Sequence, residues 1–204
     1  MRGASLVWVV NRLKGRFFVN LILKNMIIER KIQIGVMGSC SDLLYSKQIE
    51  DLAEKVGEEI AKVGAVLLFG AEKDFDSLSS AACRGAKRQG GFTIGITYGA
   101  TVNGVVEKGA DALITAGMGR GGGREFILVS SCDAIICLNG GSGTLTEMAI
   151  AYQANTPIIT LENTGGWSER LAGSFIDQRE RVRVEVATTP EMAVTMAVTA
   201  IKAR

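Results

Sequence analysis

Residues 134 to 147 read Ala-Ile-Ile-Cys-Leu-Asn-Gly-Gly-Ser-Gly-Thr-Leu-Thr-Glu. An apolar run the length of one buried strand passes straight into a glycine loop, and the loop into a helical pattern. This strand–glycine–helix sequence is the building unit of a parallel sheet covered on both faces. The turn has a chemical consequence too. Backbone N–H groups at the start of such a helix point outward, the helix dipole adds positive potential, and glycines let an anion approach the backbone closely. The end of the stretch, Thr144-Leu145-Thr146-Glu147, also fits a capping box, in which Glu147 would reach back to the N–H of the cap residue. Local sequence leaves a phosphate loop and a helix cap both open.

The same alternation runs through the chain from residue 31. Strands are predicted over 31–37, 65–69, 93–97, 112–115, 134–138, 157–161 and 182–186. Helices are predicted over 48–63, 77–89, 124–131, 144–153, 168–176 and 190–202, the last with Thr189 as N-cap and Pro190 at its first position. This predicts a single α/β domain, a Rossmann-like, doubly wound, mainly parallel sheet with helices on both faces and right-handed crossovers. Glycine turns follow the strands at Gly38, Gly70, Gly99, Gly117 to Gly123, Gly140 to Gly143 and Gly165-Gly166. In such a sheet they gather at the carboxyl edge, where ligands bind.

Composition narrows the chemistry. With no histidine in 204 residues, a histidine general base, a conventional catalytic triad and a His-ligated metal are excluded. Cys40, Cys83, Cys132 and Cys137 form no CxxC pair and read as small hydrophobes in a reducing, cytoplasmic compartment, with Cys40 placed in the first loop where it could touch a ligand. Residues 1–25 hold five bases and no acid, which leaves 18 bases against 21 acids in the remainder. A mildly acidic body argues against nucleic-acid binding. The first 25 residues are apolar and basic, but their apolar runs are too short and interrupted for stable membrane insertion, and no signal-peptide cleavage pattern follows. They read as an extension ahead of a domain spanning 26–204.

A second loop, Gly117-Met118-Gly119-Arg120-Gly121-Gly122-Gly123, leads into Arg124 at a predicted helix start. The helix dipole disfavours a cation there, and that local conflict points to a role for Arg124 beyond helix stability: holding a phosphate or carboxylate, or pairing with Glu147. The expected ligand-binding set is Gly38, Ser39, Gly70, Met118, Gly122, Gly123, Arg124, Gly140, Gly141, Ser142, Gly143, Thr144 and Glu147, with no metal ligand.

Gly140-Gly141-x-Gly143-Thr144-x-x-Glu147, with Arg124 upstream, resembles the Lonely Guy (LOG, or SLOG) superfamily, some of whose members carry an old lysine decarboxylase label. Gly165-Gly166-Trp167 and Gly85-Ala86 look like the branch that contains molybdenum-cofactor carriers and Rossmann-like nucleotide-binding proteins. The resemblance covers residues 31 to 203. It implies a nucleotide or a molybdenum-cofactor-like pterin as bound ligand, no required cofactor, and a homodimer or homotetramer. In the superfamily's enzymes, nucleoside 5′-monophosphate phosphoribohydrolases, the corresponding glutamate and arginine are catalytic, which implies those roles for Glu147 and Arg124.

Three positions depart from the enzyme pattern. Asn139 stands where a proline is usual, Glu125 where a lysine is usual, and Gly70 is followed by Ala71-Glu72-Lys73-Asp74 rather than a second glycine. The exchange of a positive for a negative charge at Glu125 predicts weaker or different phosphate recognition. Binding of a phosphorylated small molecule is therefore the first expectation and N-glycosidic hydrolysis the second. Lysine decarboxylation finds no support, since no pyridoxal-phosphate lysine motif is present.

Overall fold

In the computed structural model, residues 30–71, 75–99, 109–119 and 123–204 are described. The expected extension at 1–25 and Gly122 lie outside them. One compact unit runs from Ile32 to Arg204. Its strands are β1 (Gln33–Gly38), β2 (Val66–Gly70), β3 (Thr93–Thr97), β4 (Ala112–Thr115), β5 (Ala134–Leu138), β6 (Ile158–Leu161) and β7 (Val184–Ala187). Its helices are α1 (Lys47–Lys62), α2 (Leu78–Arg88), α3 (Arg124–Ser130), α4 (Ser142–Gln153), α5 (Gly166–Leu171) and α6 (Pro190–Lys202). A short 3-10 turn at Ser41–Leu43, not anticipated from the sequence, follows β1.

All seven strands are parallel, in the order β4-β3-β2-β1-β5-β6-β7. This is the doubly wound α/β fold that the alternation predicts. The chain winds outward from β1 to β4, returns to the centre and winds out the other way from β5 to β7. The reversal leaves a crevice beyond the carboxyl ends of β1 and β5, the place where open α/β sheets bind ligands.

Both faces of the sheet are buried, which explains the unbroken apolar runs of the central strands. Alternate residues serve opposite faces. Ile34, Val36, Leu67, Phe69, Ile136 and Leu138 pack with residues of α1, α2 and α6, while Met37, Leu68, Ile135 and Cys137 pack with residues of α3 and α4. On the first face α1 and α2 meet at backbone distance. A Cβ on Gly57 would lie 1.8 Å from the Ala82 carbonyl oxygen, and one on Gly85 1.8 Å from that of Glu54. The Gly85-Ala86 pair is thus a close-packing device between α1 and α2. α6 opens as its sequence predicts, with the Met192 N–H donating to the Thr189 hydroxyl at 3.1 Å and Pro190 in the first turn.

Two helices differ from expectation. α5 begins at Gly166 and ends at Leu171 rather than spanning 168–176, because Phe175 pairs with Arg183 in an antiparallel bridge that extended backbone alone can make. α4 begins at Ser142, two residues before the predicted start, and its N-cap Gly141 has no side chain to contribute. Among the described residues no helix is long and apolar enough to cross a membrane.

Candidate functional site

The switch-point crevice opens into a cleft of about 490 Å³. From the expected set, Gly38, Ser39, Gly123, Arg124, Gly141, Ser142, Gly143, Thr144 and Glu147 line it. Gly70, Met118 and Gly140 do not appear among its lining residues. The lining also includes Cys40, Asp42, Leu43, Glu125, Phe126, Thr146 and Ile150.

One side of the cleft is the glycine loop, and hydrogen bonds to its neighbours Ser39 and Thr164 fix its shape. β1 and β5 end in register, Gly38 beside Leu138, so Ser39 and Asn139 meet across the switch point. The Ser39 hydroxyl donates to Asn139 Oδ1 at 2.8 Å, and the Gly140 N–H donates to both Asn139 Oδ1 (2.7 Å) and Ser39 Oγ (3.0 Å). From the other side the Asn139 N–H donates to Thr164 Oγ1 at 3.0 Å and its Nδ2 to the Thr164 carbonyl at 2.7 Å. Asn139 has φ 54°. Proline is held near −65° and has no N–H, so the loop has a backbone that a proline could not adopt. Gly140, at φ 105°, continues the turn, and a Cβ there would lie 2.5 Å from the Thr144 side chain. Its N–H is already committed, so Gly140 shapes the loop.

The capping-box reading is corrected here. Because α4 starts at Ser142, Thr144 lies inside the first turn, and Glu147 lies beyond it with no acid in that turn. The N–H groups of Ser142, Gly143 and Thr144 open the helix without intrahelical partners, as in any α-helix, and all three residues line the cleft. A Cβ on Gly143 would meet nothing within 4 Å, so this end of the helix is sterically open.

The opposite side is a buried charge cluster. Arg124, Glu125 and Glu147 are 5%, 7% and 6% exposed. Arg124 Nη1 lies 3.5 Å from Glu147 Oε1, and Nη2 lies 3.7 Å from Glu125 Oε1. Tyr98, at the end of β3, ties Arg124 to Glu125: its hydroxyl accepts from Arg124 Nη2 and donates to Glu125 Oε1, both at 2.6 Å, and the guanidinium carbon stands 4.3 Å from its ring centroid. Burial alone would disfavour the arginine's charge, but Glu147, Tyr98 and Glu125 outweigh it and raise its pKa. Gly70 belongs to this cluster from beneath. A Cβ there would lie 2.0 Å from Arg124 Nη1, so the bare backbone makes room for the guanidinium.

Glu125 therefore faces inward and adds a carboxylate to the cluster. Tyr98 was missed because a tyrosine ending a strand carries no motif, although its place at a strand's carboxyl edge was a usable signal. Asp42 and Leu43 belong to the unanticipated 3-10 turn. Of the four cysteines, Cys83, Cys132 and Cys137 are buried, and burial drives the Cys83 and Cys137 thiols up in pKa. Cys40 is half-buried and lines the cleft.

Comparison with known proteins places this arrangement in a family. The molybdenum cofactor binding protein of Rippkaea orientalis is 31% identical with a TM-score of 0.71, over 84% of this chain and 98% of its own. The molybdenum cofactor carrier protein of Chlamydomonas reinhardtii is 29% identical with a TM-score of 0.71, over 86% of this chain and all of its own. An uncharacterized protein of Archaeoglobus fulgidus is 34% identical over 133 residues, 64% of this chain and 80% of that protein. A family profile matches residues 31–194, and the chain belongs to the SLOG cluster4 family.

Proposed function

We propose that this protein binds a phosphorylated small molecule, a nucleotide or a molybdenum-cofactor-like pterin, in the switch-point cleft, with the phosphate at the start of α4. The observation that carries the reading is the start of α4, where Ser142, Gly143 and Thr144 line a cleft of about 490 Å³, a volume typical of small-molecule sites, with open space at Gly143. Its donors are backbone N–H groups, aided by the helix dipole, so an anion can be held there without a lysine. The likeness to a cofactor-binding protein and a cofactor carrier, each over more than four fifths of this chain, supports a pterin as one ligand class. A pterin cofactor with a terminal phosphate would be held as cargo by the α4 turn and the walls of the cleft. The test is calorimetric titration with nucleoside 5′-monophosphates and with the matching nucleosides. The monophosphates bind and the nucleosides do not; nucleosides that bind equally well would remove the phosphate from the site.

The Arg124–Glu147 pair favours a second reading, N-glycosidic hydrolysis of nucleoside 5′-monophosphates. A carboxylate at the cleft can stabilise an oxocarbenium-like sugar or orient water, and a guanidinium can stabilise developing negative charge. Incubation with a panel of monophosphates tests it. Release of free base, abolished by Glu147→Gln with binding retained, establishes hydrolysis. Tight binding with no release from any member leaves the protein a binder.

A further inference from the structure

The cleft has an apolar wall as well as donors. Leu43 from the 3-10 turn, Phe126 from α3 and Ile150 from α4 all line it. Ile150 is buried, whereas Leu43 and Phe126 are 54% and 60% exposed. The register of α3 explains Phe126. The helix turns Arg124 and Glu125 into the charge cluster and buries Leu128 and Val129 in the core, which leaves the phenyl ring on the cleft side. Single exposed hydrophobic residues are ordinary, but here two sit in the same cleft as a third, buried one and the open turn of α4. A site for phosphate alone has no use for them. Polar donors at one end and apolar walls at the other are the usual composition of a site for an amphiphilic small molecule.

We propose that Phe126, with Leu43 and Ile150, forms a ring subsite, and that the ligand is a phosphorylated planar heterocycle whose ring lies against Phe126 while its phosphate sits at the start of α4. This rests on the phosphate reading above. The spacing along α4 agrees with it. Glu147 and Ile150 lie five and eight residues beyond Ser142, about 7.5 and 12 Å at the helical rise, which is the scale of a nucleotide with one end at the first turn. The ring gives the site selectivity that the backbone donors lack, since they treat all phosphates alike. An aromatic wall is tolerant of ring identity because every heterocycle presents a π-face.

The experiment uses the full chain and two probes, guanosine 5′-monophosphate and ribose 5-phosphate. The base of the first shares the amino-pyrimidinone ring of a pterin, and the second keeps the phosphorylated sugar without a ring. The wild-type protein binds the nucleotide more tightly than the sugar phosphate. Phe126→Ala weakens the nucleotide by roughly five- to a hundredfold, the range of base–aromatic stacking, and leaves ribose 5-phosphate unchanged. Phe126→Trp restores the preference. Equal wild-type affinities for the two probes, or an equal loss of both in Phe126→Ala, would overturn the ring subsite and leave the phosphate reading standing. Binding of neither probe to the wild-type protein would overturn both. Sedimentation of each variant supplies the remaining outcome: if Phe126→Ala dissociates an oligomer while the nucleotide preference persists, Phe126 belongs to a contact between copies and the proposal fails.

Discussion

The two sides of the cleft solve opposite problems. On the α4 side no formal charge belongs to the glycine loop, and its shape is fixed by Asn139, which links Ser39 on one side to Thr164 on the other. Around the guanidinium of Arg124, two buried carboxylates gather, Glu125 from α3 and Glu147 reaching over from α4, with the Tyr98 hydroxyl bridging Arg124 and Glu125. The first side is complete in itself and still presents the opening turn of a helix to the cleft. The second has turned its charge on itself: an anion that reached Arg124 would have to compete with Glu147 and Glu125. On the proposed reading, phosphate recognition falls to backbone dipoles, and Arg124 serves the two carboxylates as their counter-ion. The sequence leaves Arg124 a choice between an anionic ligand and Glu147, and in the structure its guanidinium stands beside Glu147 and Glu125.

The largest test of this contrast is Arg124→Met. Removal of the guanidinium leaves Glu125 and Glu147 buried without their counter-ion, and breaking a buried ion pair from one side costs about 3–5 kcal/mol. Urea denaturation should show a loss of that size, partly recovered by adding Glu147→Gln in the same chain. A loss below about 1 kcal/mol would mean that the cluster is hydrated, and with it the contrast between the two sides would collapse.

Asn139→Pro strikes the other side. It removes the N–H that reaches Thr164 and forbids the φ of 54°, for an expected cost of about 3 kcal/mol or more. A proline variant of wild-type stability would show that the loop can adopt a different backbone, and the hydrogen-bonded shape described here would lose its claim to be the loop's one conformation.

How far these features could be read in advance depended on the range of the interaction involved. β3, β4, β5 and α6 lie where the sequence placed them because apolar runs, glycine stops and the Thr189-Pro190 signal are local. The start of α4 was misplaced because Thr144-Leu145-Thr146-Glu147 imitates a capping box, while the real N-cap, Gly141, has no side chain to announce it. The approach of Arg124 to Glu147 was anticipated as one option from two glycine loops at one sheet edge. The inward direction of Glu125 was not legible. It depends on Tyr98, separated from it by 27 residues, and no helical periodicity distinguishes two neighbouring side chains that both turn inward. Leu43 and Asp42 were lost for a related reason: a one-turn 3-10 segment is too short to leave a periodic signature.

Gly70→Ala sharpens the contrast with a smaller perturbation. The added methyl would stand 2.0 Å from Arg124 Nη1, so the guanidinium must shift against Tyr98 and Glu147. Overpacking of this kind costs about 1–3 kcal/mol. Because the glycine loop is built independently on the far side of the switch point, phosphate affinity should survive the change, measured by calorimetry beside the melting curve. If affinity falls in step with the displaced arginine, Arg124 takes part in holding the phosphate and the division between the two sides is wrong.

The smallest effect on stability belongs to Ser142→Asp, and it separates fold from binding most cleanly. Ser142 is exposed, opens α4 and lines the cleft. An acidic residue in the first turn interacts favourably with the helix dipole, by about 0.3–1 kcal/mol, so the variant should melt at or slightly above the wild-type temperature. The same carboxylate stands where the phosphate is proposed to sit and competes for the same N–H groups. Binding of a nucleoside monophosphate should therefore weaken by about tenfold or more, equivalent to ~1.4 kcal/mol, and the loss should shrink as salt screens the repulsion. Ser142→Asn, similar in size and uncharged, serves as the control and should bind like the wild type. A stable Ser142→Asp protein with undiminished affinity would take the phosphate away from α4 and hand the recognition of anions back to the charged side of the cleft.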